Sequence, residues 1–114
     1  MSNEKITGVL SALAEPKRRQ ALVLLQRGGE LCVCELMKKL GATQSRMSRH
    51  MGVLKAAGLV LDRRDAQWVR YRLHPQVSPA IARIVESVLE AERSSQKRDR
   101  RSQGHVDDSE KVSV

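Results

Sequence analysis

The spacing of apolar residues along this chain changes period between its halves. Ile6, Val9, Leu10 and Leu13 fall at i, i+3, i+4 and i+7, which predicts a short amphipathic helix over residues 4–13. Glu15-Pro16 interrupts it. Proline suits the first position of a new helix, where a backbone N–H would lack a partner anyway. That second helix runs to about Arg27 with Ala21, Leu22, Leu24 and Leu25 inward, and Gly28-Gly29 ends it. A third helix starts near Cys32, burying Val33, Leu36, Met37 and Leu40, and Gly41 closes it. Thr43 is a good N-cap for a fourth, Gln44 to about Ala57, with Met47, Met51 and Leu54 inward. Gly58 takes the place of a left-handed cap residue.

Beyond Gly58 the period shortens to two. Leu59 and Leu61, then Val69, Tyr71 and Leu73, alternate with polar residues, which predicts two strands joined at Asp65-Ala66-Gln67. Pro75 stops the second strand. A last helix from about Val77 to Glu92 carries Ile81, Ile84, Val85, Val88 and Leu89 on a broad apolar face. The predicted order is α-α-α-α-β-β-α, mainly α with a β-hairpin. The third and fourth helices, joined by a short glycine-containing turn, make a helix-turn-helix. The expected folded unit is residues 1–92, and residues 93–114, nearly devoid of apolar side chains, read as a disordered polar tail.

The apolar faces of the first and last helices exceed what one thin core absorbs. They either cover the hydrophobic side of the domain or form a dimer interface. The second reading is adopted here, with Ile6, Val9, Leu10, Leu13, Ile81, Ile84, Val85 and Val88 as its residues.

Charge sharpens the picture. Lys and Arg total 21 against 13 Asp and Glu, a net of +8. The segment 93–114 has six basic and four acidic residues, whereas residues 42–74 have seven basic and two acidic. The excess therefore lies on the helix-turn-helix and hairpin, where a polyanion would be read. No apolar run approaches the roughly 18 to 20 residues a membrane span needs. The N-terminus lacks a signal peptide's basic flank and apolar core, so the expected location is the cytoplasm. With no Phe, one Trp and one Tyr, base stacking as in single-strand or RNA binders is disfavoured.

In a helix-turn-helix the exposed N-terminal half of the second helix faces base edges in the major groove. Those positions are Gln44, Ser45, Arg46, Ser48 and Arg49. Gln pairs bidentately with adenine and Arg with guanine. At the hairpin, Arg63, Arg64 and Gln67 suit phosphate or minor groove better than sequence readout. Lys17, Arg18 and Arg19 either reach phosphates or form a solvated face, and His50 is expected to pack at the helix edge.

The only cysteines, Cys32 and Cys34, lie one residue apart. A bridge between them closes almost no loop and would be strained, so they read as free thiols, metal ligands or redox centres. Cys32 sits at an N-cap position with Glu35 three residues on, a capping box with sulfur in place of oxygen. The helix dipole is expected to lower the Cys34 pKa. On an ideal helix, residues two apart point about 200° away from each other, so chelation is expected to hold the start of the helix unwound or to pull it open. Soft thiolates suit As(III), Sb(III), Hg(II) or Cu(I). Met37 lies in the buried stripe, which favours packing over ligation.

Residues 4–92 resemble the ArsR/SmtB family of winged helix-turn-helix metalloregulatory repressors. Glu30-Leu31-Cys32-Val33-Cys34-Glu35-Leu36 resembles the thiol site of its arsenic-responsive branch. Gln44-Ser45-Arg46-Met47-Ser48-Arg49-His50-Met51 resembles its recognition helix. Gly58-Leu59-Val60, Asp62-Arg63-Arg64 and Trp68-Val69-Arg70-Tyr71-Arg72-Leu73 resemble its wing. The resemblance implies a homodimer on double-stranded operator DNA, released by As(III) or Sb(III) at Cys32 and Cys34, with no enzymatic cofactor. Branch members often carry a third cysteine where this chain has Met37, which leaves methylarsenite, Hg(II) and thiol oxidation open as alternative signals. The family's zinc or nickel site on the last helix is not supported, since residues 77–92 contain neither His nor Asp. A thiol metallochaperone or redox enzyme is the alternative of another class, but no Cys-x-x-Cys and no catalytic constellation is present.

Overall fold

The computed structural model describes the backbone of residues 3–105 and the side chains of residues 4–98. Five helices surround a small sheet: α1 (Asn3–Leu13), α2 (Pro16–Gly28), β1 (Glu30–Cys32), α3 (Val33–Leu40), α4 (Gln44–Ala56), β2 (Val60–Asp65), β3 (Trp68–Leu73) and α5 (Pro79–His105). Helix boundaries follow the predicted signals. Pro16 opens α2 behind Glu15, whose side chain accepts from the Arg18 N–H. Gly41, at φ 64° and ψ 38°, ends α3 in the left-handed conformation that glycine adopts without a Cβ clash. The Thr43 hydroxyl accepts from the Arg46 N–H at 3.3 Å and starts α4.

The sheet differs from expectation. Three strands lie in the order β1-β3-β2, all antiparallel, so the hairpin gains an edge strand. Glu30 pairs with Arg72, Leu31 with Tyr71 and Cys32 with Arg70. A three-residue strand is too short to display alternation, which is why the hydrophobic pattern did not reveal it. On the hairpin's first strand the buried residue is Val60, while Leu61 is only half-buried.

One core joins these elements. Leu22 and Leu25 of α2, Leu36 of α3, Met47, Met51 and Leu54 of α4, and Ile81 and Leu89 of α5 are all fully buried. Val23 is buried as well, whereas Leu24, expected inward, is only partly so.

Two further expectations are corrected. The chain does not leave helical structure at Glu92, because α5 continues to His105. Segment 93–105 contains no proline, and Arg, Lys and Gln propagate a helix already nucleated by a packed one. Its low apolar content does not preclude a helix. Arg93 also ties back, donating to Gln26 and lying 3.8 Å from Glu86. The remainder of the expected tail, residues 106–114, lies outside the described residues. Second, Val9 and Ile81 are buried within the chain itself, and Leu13, at 4% exposure, keeps only an edge on the groove between α1 and α5. Val85 lines a cleft of about 220 Å³ with Leu22, Leu59, Leu73 and Val77. What stays outward is Ile6 and Leu10 on α1, at 36% and 50% exposure, beside half-buried Ile84 and Val88 on α5.

Lys17, Arg18 and Arg19 are half-buried and donate within the fold. Arg18 donates to the carbonyls of Ser11 and Ala12, and Arg19 to those of Leu13 and Ala14. Helix α1 has no basic residue in its last turn, so the next helix supplies the donors for its free carbonyls. Lys17 does the same for Leu40 at the end of α3. Arg19 also donates to buried Glu92 at 2.7 Å, linking α1, α2 and α5. Arg19→Ala strands that carboxylate, and urea unfolding is expected to show a loss of about 2 kcal/mol. Arg19→Ala/Glu92→Ala should recover part of it, and a double variant no better than the single would contradict this account.

Candidate nucleic-acid interface and thiol site

Helix α4 divides cleanly. Met47, Met51 and Leu54 are buried, and Gln44, Ser45, Arg46, Ser48 and Arg49 are all exposed. Spacing at 3.6 residues per turn puts these polar residues on the face away from the core. His50 is half-buried, its Nδ1 3.3 Å from Arg18 and its Nε2 3.9 Å from Glu15, so it packs at the helix edge.

The hairpin carries less available charge than its composition suggests. Arg63 makes a two-pronged pair with Glu30, 2.8 Å from Nε to Oε2 and 2.7 Å from Nη2 to Oε1. Arg70 pairs with Asp65 at 2.8 Å, and Lys55 of α4 with Asp62 at 3.1 Å. The pairs hold Glu30 and Asp65 below the usual carboxylate range, chiefly through the hydrogen bonds from Arg63 and Arg70. Arg46, Arg49, Arg64 and Arg72 have no ion-pair partner among the described residues. Gln67 stands exposed at the hairpin tip beside Ala66, whose φ of 59° forms the tight turn. Arg72 is exposed as well, on the polar side of the alternation of Val69, Tyr71 and Leu73.

The cysteines lie at the strand-to-helix junction. Cys32 ends β1 in an extended conformation, φ −71° and ψ 149°, and is the N-cap of α3. Its sulfur accepts from the Cys34 N–H at 3.3 Å, and the Glu35 carboxylate accepts from the Cys32 N–H at 2.7 Å. The sulfur capping box is thus formed. Cys32 is buried and Cys34 half-buried, and both are free thiols.

Two expectations meet this geometry. The 200° separation took both cysteines as helical; Cys32 is instead extended, so the chain is already non-helical there, the first of the two arrangements expected for chelation, and its sulfur folds back onto the Cys34 N–H. The second concerns acidity. The Cys34 thiol is pushed above its ordinary value, first by its hydrogen bond with the Cys32 thiol, then by burial and by charge repulsion from Cys32. Backbone N–H groups at the start of the helix act in the lowering direction, as the dipole argument required, but the neighbouring sulfur outweighs them. Among the described residues, no group of three or more His, Cys, Asp or Glu side chains is arranged to hold a metal ion.

A helix-turn-helix of α3 and α4 with a basic hairpin beside the second helix defines a winged helix-turn-helix DNA-binding regulator. The model for "bacterial regulatory protein, arsR family" matches residues 15–61. The Arsenic resistance transcriptional regulator ArsR1 of Pseudomonas putida is 43% identical over 83 residues, which cover 73% of this chain and 65% of that protein. The arsenical resistance operon repressor of Escherichia coli is 40% identical over 80 residues, 70% of this chain and 68% of that one. Among solved structures, reduced HlyU from Vibrio cholerae aligns with a TM-score of 0.63 at 34% identity, covering 77% of this chain and 88% of its own. The homodimeric winged helix-turn-helix domain Mb0332 of Mycobacterium bovis aligns at 0.64 with 25% identity, covering 94% and 92%. The chain belongs to the ArsR family of DNA-binding transcriptional regulators and is not an enzyme. No described helix is long and apolar enough to cross a membrane.

The raised Cys34 pKa has a measurable sign. The folded state holds that proton more tightly than the unfolded chain does. Stability from this group is therefore present below the ordinary thiol pKa and is lost as pH rises through the raised one. Alkylation of Cys34 against pH, resolved by fragment mass spectrometry, is expected to have its midpoint above that of a free thiol. Cys32→Ala should move it down, and an unmoved or higher midpoint would contradict the assigned cause.

Proposed function

We propose that the chain is a homodimeric transcriptional repressor that leaves its operator when trivalent arsenic or antimony binds Cys32 and Cys34. The observation that carries this reading is the placement of Cys32 at the end of a strand paired to the wing and of Cys34 in the first turn of the first helix of the helix-turn-helix, with the Cys34 N–H donating to the Cys32 sulfur. A ligand that repositions either sulfur acts on α3, which packs against α4, and on β3 through the ladder. In the complex, Gln44, Ser45, Arg46, Ser48 and Arg49 read the major groove, while Arg63, Arg64 and Gln67 meet the backbone or minor groove.

The chemistry suits a neutral metalloid. Arsenite reacts as As(OH)₃ with two thiols, forming two As–S bonds and releasing two waters, each oxygen leaving with a thiol proton. No proton is lost to solvent, so the raised Cys34 pKa is less of an obstacle than for Hg(II) or Zn(II), which displace protons. Protein thiols fill two of the three arsenic positions, and the third keeps hydroxide or takes a donor from a second chain. Methylarsenite is favoured as a second reading because CH₃As(OH)₂ is fully satisfied by two sulfurs, and no third ligating group accompanies them among the described residues.

The dimer reading draws on the groove of about 420 Å³ between α1 and α5, lined by Leu10, Val88, Ala91 and Ser95 among others. Ile6 and Leu10 leave apolar area exposed beside it, and the similar Mb0332 domain is homodimeric. Leu10→Glu is expected to give a monomer by light scattering and to lose operator affinity. A dimer that persists would remove this face from the interface.

Cys32→Ser and Cys34→Ser should each bind a duplex from upstream of the chain's own gene with affinity close to that of the parent, since a serine cap replaces the sulfur cap. Release by arsenite or methylarsenite, coupled by about 1–3 kcal/mol in the parent, should be lost in both. A serine double variant still released by arsenite would place the site elsewhere, and release by peroxide but not by trivalent arsenic would favour redox sensing.

A further inference from the structure

The pair between Glu30 and Arg63 spans the whole sheet. Glu30 lies on β1, Arg63 on β2, and β3 runs between them. Glu30 is in register with Arg72 and Leu61, and Cys32 with Arg70 and Arg63. Residues opposite one another in a ladder share a face, as do residues two apart on a strand. Glu30 therefore sits on one outer face with Arg63, Arg70 and Arg72. Both carboxylate oxygens engage the Arg63 guanidinium, in the planar two-pronged geometry by which arginine also binds phosphate. Glu30 keeps 28% of its side-chain area accessible and Arg63 55%, so the pair lies open to an incoming polyanion.

We infer that Glu30 is an internal competitor for DNA: its carboxylate occupies the wing guanidinium that a backbone phosphate would take. The proposal rests on the reading that the wing meets the DNA backbone. Arg63 must exchange one oxyanion for another as the wing docks, so its contribution to binding is the difference between the two. Glu30 thereby lowers the sequence-independent electrostatic attraction that every duplex exerts on the wing. The exchange involves no covalent step. Asp65 on Arg70 has the same form, but it lies within the hairpin, whereas Glu30 belongs to the strand that ends at Cys32. The competitor is thus mounted on the strand that carries the Cys32 thiol.

The test measures binding of the full chain to a non-operator duplex by fluorescence anisotropy, across a range of salt concentrations. Glu30→Gln keeps the side-chain length and removes the charge, and is expected to tighten binding about two- to fivefold at low salt, the range set by exposed ion pairs. Arg63→Gln in the same background should abolish the gain. Glu90→Gln on α5 removes an equal charge away from the wing, and its gain should be smaller. Trp68, the only tryptophan, reports from the first position of β3 whether the wing is native in each variant. Weaker or unchanged binding by a Glu30→Gln protein with a native Trp68 spectrum would overturn the proposal, as would an equal gain from Glu90→Gln. Arg64→Gln separates the two levels. If it leaves binding untouched, the wing does not meet the backbone and the underlying reading fails. If it weakens binding while Glu30→Gln changes nothing, only the competition fails.

Discussion

The whole arrangement hangs on the backbone at Cys32. That residue closes the ladder of β1 against β3 and caps α3 with its sulfur. An N-cap satisfies a backbone N–H that helix geometry leaves free, and sulfur is a weaker acceptor than a hydroxyl. The junction between wing and helix-turn-helix is thus held by a comparatively weak bond. A second thiol from the first turn lies against that bond. Under the proposed function, a ligand for the two sulfurs would act where the sheet and the helix-turn-helix meet at Cys32, and the elements packed on both sides would carry a displacement of that junction outward.

Electrostatics adds a second constraint. The DNA-facing region has a large formal excess of positive charge, yet much of the hairpin's part is already neutralised within the fold. Glu30, Asp62 and Asp65 each hold a cation from that surface. The cations of that surface without an ion-pair partner among the described residues, Arg46 and Arg49 on α4 with Arg64 and Arg72 on the wing, outline a narrower surface than composition alone suggests. Positive charge here is metered. That suits a regulator that has to find one site among many similar duplexes, since unspecific affinity rises with each free cation.

Most of the fold was legible because the helices obey simple rules. Apolar spacing, Pro16, Thr43 and Gly41 located α1 to α4 and the turn between the two helix-turn-helix members. The exposed face of α4 followed directly from Met47, Met51 and Leu54. What sequence reasoning missed depended on pairing between distant segments. Strand β1 is too short to have a period, so Glu30 could not be seen to join Arg63 and Arg72 on one face. The same gap hid the extended conformation of Cys32, which keeps the chain non-helical at that residue. The Cys34 pKa was misjudged because the dipole argument considered the helix and omitted the neighbouring sulfur. Val9, Leu13 and Ile81 were assigned to an interface because periodicity identifies an apolar face but not what covers it. The end of α5 was misplaced because a polar composition was taken to mean disorder.

The central claim is that the thiol pair controls both the helix-turn-helix and the wing through the Cys32 junction. Amide hydrogen exchange on the free protein, with and without methylarsenite, tests it most directly. The account predicts altered protection in two places at once, the first turn of α3 and the β1–β3 ladder, with neither change in a protein carrying serine at positions 32 and 34. A response confined to one of the two elements, or centred on α5, would contradict it.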